Sequence, residues 1–192
     1  MFPLAFLAYQ QFYARPKAAK AQEFGTLMSR LLFHVRAEEN AAPSPPGSLT
    51  AAFGSDPEET RLLKEGAAAF ARGDYPAARE SFAGLAALKP SREATALLAA
   101  ANLRESNFSL AREHYLQIVS PPFNDQDLAE SVSLGLALAL FNLVEYDEAL
   151  RHAEAPYRSR LDRLGPGNPE TVSAGNILAG ILIGLSRGPE AE

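Results

Sequence analysis

From Asp56 onward the chain alternates apolar-rich blocks with short breaks, and within the blocks the apolar residues recur at steps of three and four. That spacing gathers them on one side of an α-helix. Asp56-Pro57-Glu58-Glu59 offers an N-cap, a first-turn proline and a capping-box glutamate, so a helix is predicted from there to about Arg72. Gly73-Asp74 breaks it, and Pro76 falls in the first turn of the next helix, which ends near Lys89-Pro90. Further helices are predicted at 92–105, 108–119, 126–143, 146–164 and 169–186, the last opened by Asn168-Pro169. Apolar and polar residues nowhere alternate for long, so essentially no sheet is expected. Ahead of this zone, Lys17–Glu39 carries a helical stripe of Phe24, Leu27, Met28, Leu31, Leu32 and Val35. Between the two, residues 41–55 hold three prolines and two glycines with little periodicity, the mark of a linker.

The helical zone repeats itself. Gly73-Asp74-Tyr75-Pro76-Ala77-Ala78 leads on to Phe82, Leu85 and Pro90. Ser106-Asn107-Phe108-Ser109-Leu110-Ala111 leads on to Tyr115 and Ile118, and Glu145-Tyr146-Asp147-Glu148-Ala149 to Ala153 and Tyr157. Gly188-Pro189-Glu190-Ala191 begins a fourth copy. Small residues also recur in the preceding helix of each unit, at Gly66, Ala99, Ala137 and Ala179. A small residue lets two helices approach closely while large neighbours fill the space beside it. The period drifts: Tyr75 to Phe108 is 33 residues, Phe108 to Tyr146 is 38, and Ala149 to Ala191 is 42.

With Gly66, Ala78, Phe82 and Pro90 at their spacing, the chain resembles the tetratricopeptide repeat family over about 57–192. The last full unit, with Leu164-Gly165-Pro166-Gly167-Asn168-Pro169-Glu170-Thr171 ahead of Asn176, looks like the 42-residue variant of kinesin light chains and related bacterial repeat proteins. It departs from the family where Ala69, Asn102, Leu140 and Leu182 stand in place of a large first-helix aromatic, and where Ala153 replaces a late one. The resemblance implies an all-α, right-handed superhelical solenoid of antiparallel helix pairs, with a second helix about two turns longer in the third unit. It also implies a concave groove lined by the first helix of each unit. The groove positions are Leu63, Lys64 and Phe70, then Leu97, Leu103 and Arg104, then Leu134, Leu138, Phe141 and Asn142, and finally Asn176 and Ile183. This lining is mostly apolar. A clamp for carboxylate tails needs several Lys and Asn there, and only Lys64 and Arg104 qualify. An amphipathic helix or extended apolar peptide is the expected occupant. Asn176 resembles the groove asparagine that holds a ligand's main chain, its amide able both to donate and to accept.

Composition changes little in this picture. Of 192 residues 47% are apolar, mainly Ala and Leu, which supports helix and a packed core. The net charge is −5, against a nucleic-acid partner. Residues 1–40 carry five basic and three acidic groups, net +2, leaving thirteen basic and twenty acidic groups, net −7, for 41–192. There is no cysteine, which excludes disulfides, thiolate metal sites and a cysteine nucleophile, and fits a reducing compartment. Met1–Ala14 is uncharged and largely apolar but has neither a basic start nor a small-residue cleavage site, so it is read as retained.

Catalytic chemistry finds little footing. His34, His114 and His152 lie on different helices in no metal-ligating spacing. Glu58, Glu59, Asp147 and Glu148 sit near helix N-termini, where they complement the helix dipole. Gly165-Pro166-Gly167 is followed by no phosphate-cradle lysine, and no serine has a nucleophile-elbow context. The expectation is a non-enzymatic, cytoplasmic scaffold without cofactor that binds a protein or peptide partner. The alternatives are a regulatory array of a larger signalling or catalytic protein, or a membrane-proximal assembly factor contacting the membrane through 1–14. Three parts are expected: an N-terminal helical segment 1–40 that caps the array or occludes its groove, a linker 41–56, and an array 57–192 whose last repeat is truncated. Ile177, Leu178, Ile181 and Leu182 would then be left bare and available for self-association.

Overall fold

The computed structural model describes residues 56–187, so the expectations for 1–55 and 188–192 lie outside the described residues. Within that span the chain is helical: α1 (Pro57–Ala71), α2 (Tyr75–Leu88), α3 (Arg92–Arg104), α4 (Phe108–Ile118), α5 (Gln126–Asn142), α6 (Tyr146–Leu164) and α7 (Pro169–Arg187). Each boundary falls within about a residue or two of its predicted place. Asp56 caps α1 through Oδ1, accepting from the backbone N–H of Glu58 at 2.7 Å and of Glu59 at 3.3 Å. Asp74, Ser91 and Asp125 cap α2, α3 and α5 in the same manner. α6 is 19 residues long against 11 for α4, a difference of about two turns.

Three helical hairpins, α1–α2, α3–α4 and α5–α6, are closed by the same turn. The second residue after each first helix takes a left-handed conformation: Gly73 at φ 79°, Ser106 at 66° and Val144 at 66°. The following N–H reaches back five residues, Asp74 to Ala69 O at 2.9 Å, Asn107 to Asn102 O at 2.9 Å and Glu145 to Leu140 O at 3.0 Å. A shorter bond lies inside each, from Gly73 to Phe70 O, Ser106 to Leu103 O and Val144 to Phe141 O. These paired bonds are a Schellman motif, which satisfies the last carbonyls of the helix and turns the chain sharply.

Successive helices pack on one another along the chain, and first helices also touch across hairpins, α3 with α5 and α5 with α7. First helices therefore form one layer, and α2, α4 and α6 lie against it. Close approach is bought by small residues. A Cβ on Gly66 would run into the Phe82 ring within the first hairpin, one on Gly135 into Tyr115 of the preceding hairpin, and one on Gly184 into Tyr146. Phe82, Tyr115, Leu85, Leu97, Leu134, Leu136 and Leu140 form the centre of the core. Ion pairs add rungs between hairpins: Arg79 Nε meets Glu105 Oε2 at 2.6 Å, and Arg112 pairs with Glu145. Both arginines follow the small alanine of a second helix, and both glutamates belong to the next turn or its edge.

Candidate functional site

The layer of first helices carries all twelve residues expected to line a groove, and the structure divides them in half. Leu63, Phe70, Leu97, Leu103, Leu134 and Leu138 are buried. Lys64 and Asn142 are exposed, while Arg104, Phe141, Asn176 and Ile183 are half-buried. Arg104 is engaged: its guanidinium lies 4.7 Å over the Tyr75 ring and Nη2 donates to the Tyr75 hydroxyl. Asn142 Nδ2 donates to Leu138 O at 2.8 Å.

Four of the reachable residues come together at the C-terminal end. The Phe141 ring stands 5.7 Å from that of Tyr146 and would meet a Cβ on Gly180 at 3.5 Å. Asn176 and Ile183 flank Gly180 by four and three residues on α7, hence on the same helix face. Phe141 and Asn142 at the end of α5 thus adjoin a face of α7 that presents an amide and a branched aliphatic side chain. The rest of α7 departs from expectation. Ile177 and Ile181 are buried rather than bare, because α7 seats against both α6 and α5. Leu178 is half-buried, and Leu182 and Val172 remain exposed.

α3 and α5 are covered on every side. Ala94, Ala96, Leu97, Ala99, Ala100, Ala101, Asn102 and Leu103 are all buried on α3, and at about 100° per residue they point all round the axis. On α5 the same holds from Leu128 to Leu140, with only Ala129 and Ser133 less than buried. α1 differs: Arg61, Lys64, Glu65 and Ala71 leave one side open to solvent.

A polar joint between α5, α6 and α7 was not anticipated from sequence. Arg160 is 0% exposed; Nε donates to Glu130 Oε2 at 3.0 Å and Nη2 to Ser131 Oγ at 3.2 Å. Arg163 Nη2 reaches Asp127 Oδ1 at 2.6 Å and Glu130 Oε2 at 3.1 Å. Burial pushes the Glu130 carboxyl upward, but hydrogen bonds from Ser159, Arg160 and Gln126 outweigh it and hold it below the usual range. Along the chain the alternation of Arg158 and Arg160, one exposed and one buried, carries no signal of a buried pair. Beside this joint, an apolar cleft of about 270 Å³ opens between Phe123, Ala129, Val132 and Pro156, with Glu130 and Ser159 at its edge. Arg92 secures the connection that roofs it, donating to the carbonyls of Ile118 and Pro121 with its guanidinium 4.1 Å over Phe123.

Of the histidines, His114 and His152 are half-buried on α4 and α6, and His34 lies outside the described residues. Desolvation lowers the His152 pKa. Among the described residues no group of three or more His, Asp or Glu side chains could hold a metal ion, and no helix is long and apolar enough to cross a membrane. No protein-family model, curated protein or solved structure matches the chain.

Proposed function

We propose that the chain is a non-enzymatic protein-interaction scaffold of the tetratricopeptide kind, a right-handed solenoid whose concave face takes an apolar helical or extended peptide at the α5–α7 end. The observation that carries this reading is the thrice-repeated hairpin turn, with equivalent hydrogen bonds and a left-handed residue at Gly73, Ser106 and Val144. Identical turns set successive first helices side by side, so that residues of different hairpins share one surface. At its reachable end Phe141 and Ile183 supply apolar contact, and the Asn142 and Asn176 amides can bond a peptide main chain whatever its side chains.

A displayed library of apolar amphipathic peptides, selected on the full chain, tests this reading. Selected peptides should bind with micromolar dissociation constants, on the order of −8 kcal/mol. Asn142→Arg with Ile183→Arg should weaken them at least about tenfold, since charges placed on an apolar contact are desolvated without a partner. Circular dichroism reports that the double variant stays folded. Selection of no peptide, or equal binding to both forms, would refute the site.

A further inference from the structure

The hairpins leave a gap where their second helices differ in length. α4 stops at Ile118 whereas α6 runs to Leu164, so the connection 119–125, rather than a helix, faces the middle of α6. The gap is the cleft of about 270 Å³ between Val119, Phe123, Val132 and Pro156. Its walls are tied. Arg92 holds the connection by the carbonyls of Ile118 and Pro121, and Glu130 fastens α5 to α6 through Ser159 and Arg160. A pre-formed, mostly apolar cleft with a few polar groups at its edge is the usual form of a binding site. We propose that this cleft takes the indole ring of a tryptophan presented by a partner peptide, at a point separate from the concave face.

Size, polarity and surroundings select that occupant. An apolar cavity of about 150 Å³ holds benzene, so about 270 Å³ suits a fused bicyclic ring. The cleft is smaller than the roughly 300–1,000 Å³ of sites that enclose whole drug-sized molecules, which favours a single side chain with its main chain left outside. The edge accepts hydrogen bonds. Gln126 spends both Nε2 hydrogens, on Glu130 Oε1 at 3.1 Å and on Ser159 Oγ at 2.9 Å, and Ser159 spends its own on Glu130. What these two residues still offer is the Gln126 carbonyl oxygen and a Ser159 lone pair. Among Phe, Tyr and Trp, only tryptophan brings a donor without an acceptor. Leu116, 50% exposed and one turn before Val119 on the same face of α4, gives flanking peptide residues apolar surface, as do exposed Pro122 and Ala155. The chain contains no tryptophan, so neither its own segments nor a second copy can supply the ring.

The test uses the full chain, whose lack of tryptophan leaves indole fluorescence to report on the probe alone. N-acetyltryptophanamide should show a saturable blue shift with a dissociation constant on the order of 1 mM. A pentapeptide with a central tryptophan and apolar neighbours should bind at least about tenfold tighter than that, and its 1-methyltryptophan counterpart, lacking the N–H, about tenfold weaker than the pentapeptide. Ala155→Phe, which fills the cleft from an exposed position, should abolish the shift, with circular dichroism reporting that the variant stays folded. Gln126→Leu should bring the two pentapeptides to equal affinity. Absence of a saturable shift, equal binding to Ala155→Phe, or equal binding of both pentapeptides by the unaltered chain would overturn the proposal. Free indole binding as tightly as the pentapeptide would assign the cleft to a small molecule and overturn it too. Asn142→Arg with Ile183→Arg should leave every one of these affinities unchanged, because neither residue lines the cleft. A loss there would place the peptide on the concave face instead, so failure of the peptide selection and failure of this proposal are separate results.

Discussion

Glu130 holds its charge in a place that would otherwise discourage it. It is 7% exposed, yet Arg160, Arg163, Ser159 and Gln126 all donate to it. Its carboxyl is thereby held below the unfolded value, so the stabilisation is present above about pH 4.3 and is lost as pH falls through the lower, folded pKa. Thermal unfolding followed between pH 7 and pH 3 should show the midpoint dropping in that acid window. Glu130→Gln should flatten the drop and lower stability at pH 7 by roughly 2–4 kcal/mol, because the buried Arg160 would keep only Glu170, at 4.0 Å, as an acidic partner. At the same scale, Gly135→Ala should cost about 1–3 kcal/mol in urea unfolding, since the added methyl meets the Tyr115 ring. Gly167→Ala, with nothing within 4 Å of the new Cβ, should stay near neutral. The small-and-large principle was legible in Gly66 and Phe82, which do meet. Gly135 was missed because its aromatic partner belongs to the preceding hairpin, 20 residues earlier, and helix periodicity carries no information about contacts between hairpins.

At the scale of elements, helix starts were the most legible feature. Asp56 and Asn168 announce caps and provide them, Asn168 accepting from the Glu170 N–H at 2.8 Å, while Asp74 and Asp125 cap α2 and α5 without having been singled out. Helix ends were legible to within a residue or so, but the left-handed residue that makes each turn was legible only where it is glycine. Gly73 reveals the first turn, but Ser106 and Val144 adopt the same left-handed conformation without the residue that usually signals it. A β-branched side chain is poorly suited to that region, where an L-residue costs roughly 1–2 kcal/mol. Val144 is 67% exposed, so its side chain contributes little packing in return. Val144→Gly should therefore raise stability by about 1 kcal/mol, read from the urea midpoint at constant m-value, whereas Gly73→Ala should lower it by a similar amount. The opposite signs at equivalent positions would show that the turn, rather than the identity of its neighbours, sets the effect.

The described residues form a row of hairpins, and their order along the chain could be read from the period of the breaks. How deeply the row is covered could have been read as well. α3 and α5 carry alanine and leucine round their whole circumference, and a helix apolar on all sides is a buried helix. Leu97, Leu134 and Leu138, expected from the repeat register to line a groove, stand on these two helices and are buried. The distinction has consequences for stability. In a linear array each unit is held chiefly by its neighbours, so flanking helices open more readily than central ones. α1 has one first-layer side open, and α7 ends the described row with Leu182 and Val172 exposed. Native-state hydrogen exchange should accordingly find the slowest amides in α3 and α5, close to the global unfolding free energy, and faster exchange in α1 and α7 through local opening. Uniform protection from α1 to α7 would instead show that the row unfolds as one cooperative block. Leu138→Asp should abolish the central protection and lower the whole-chain midpoint, because at 6% exposure the new carboxylate has no access to water. Asn142→Arg, exposed at the end of the same helix, should leave the exchange pattern intact, separating the residues that hold the array together from those left free to meet a partner.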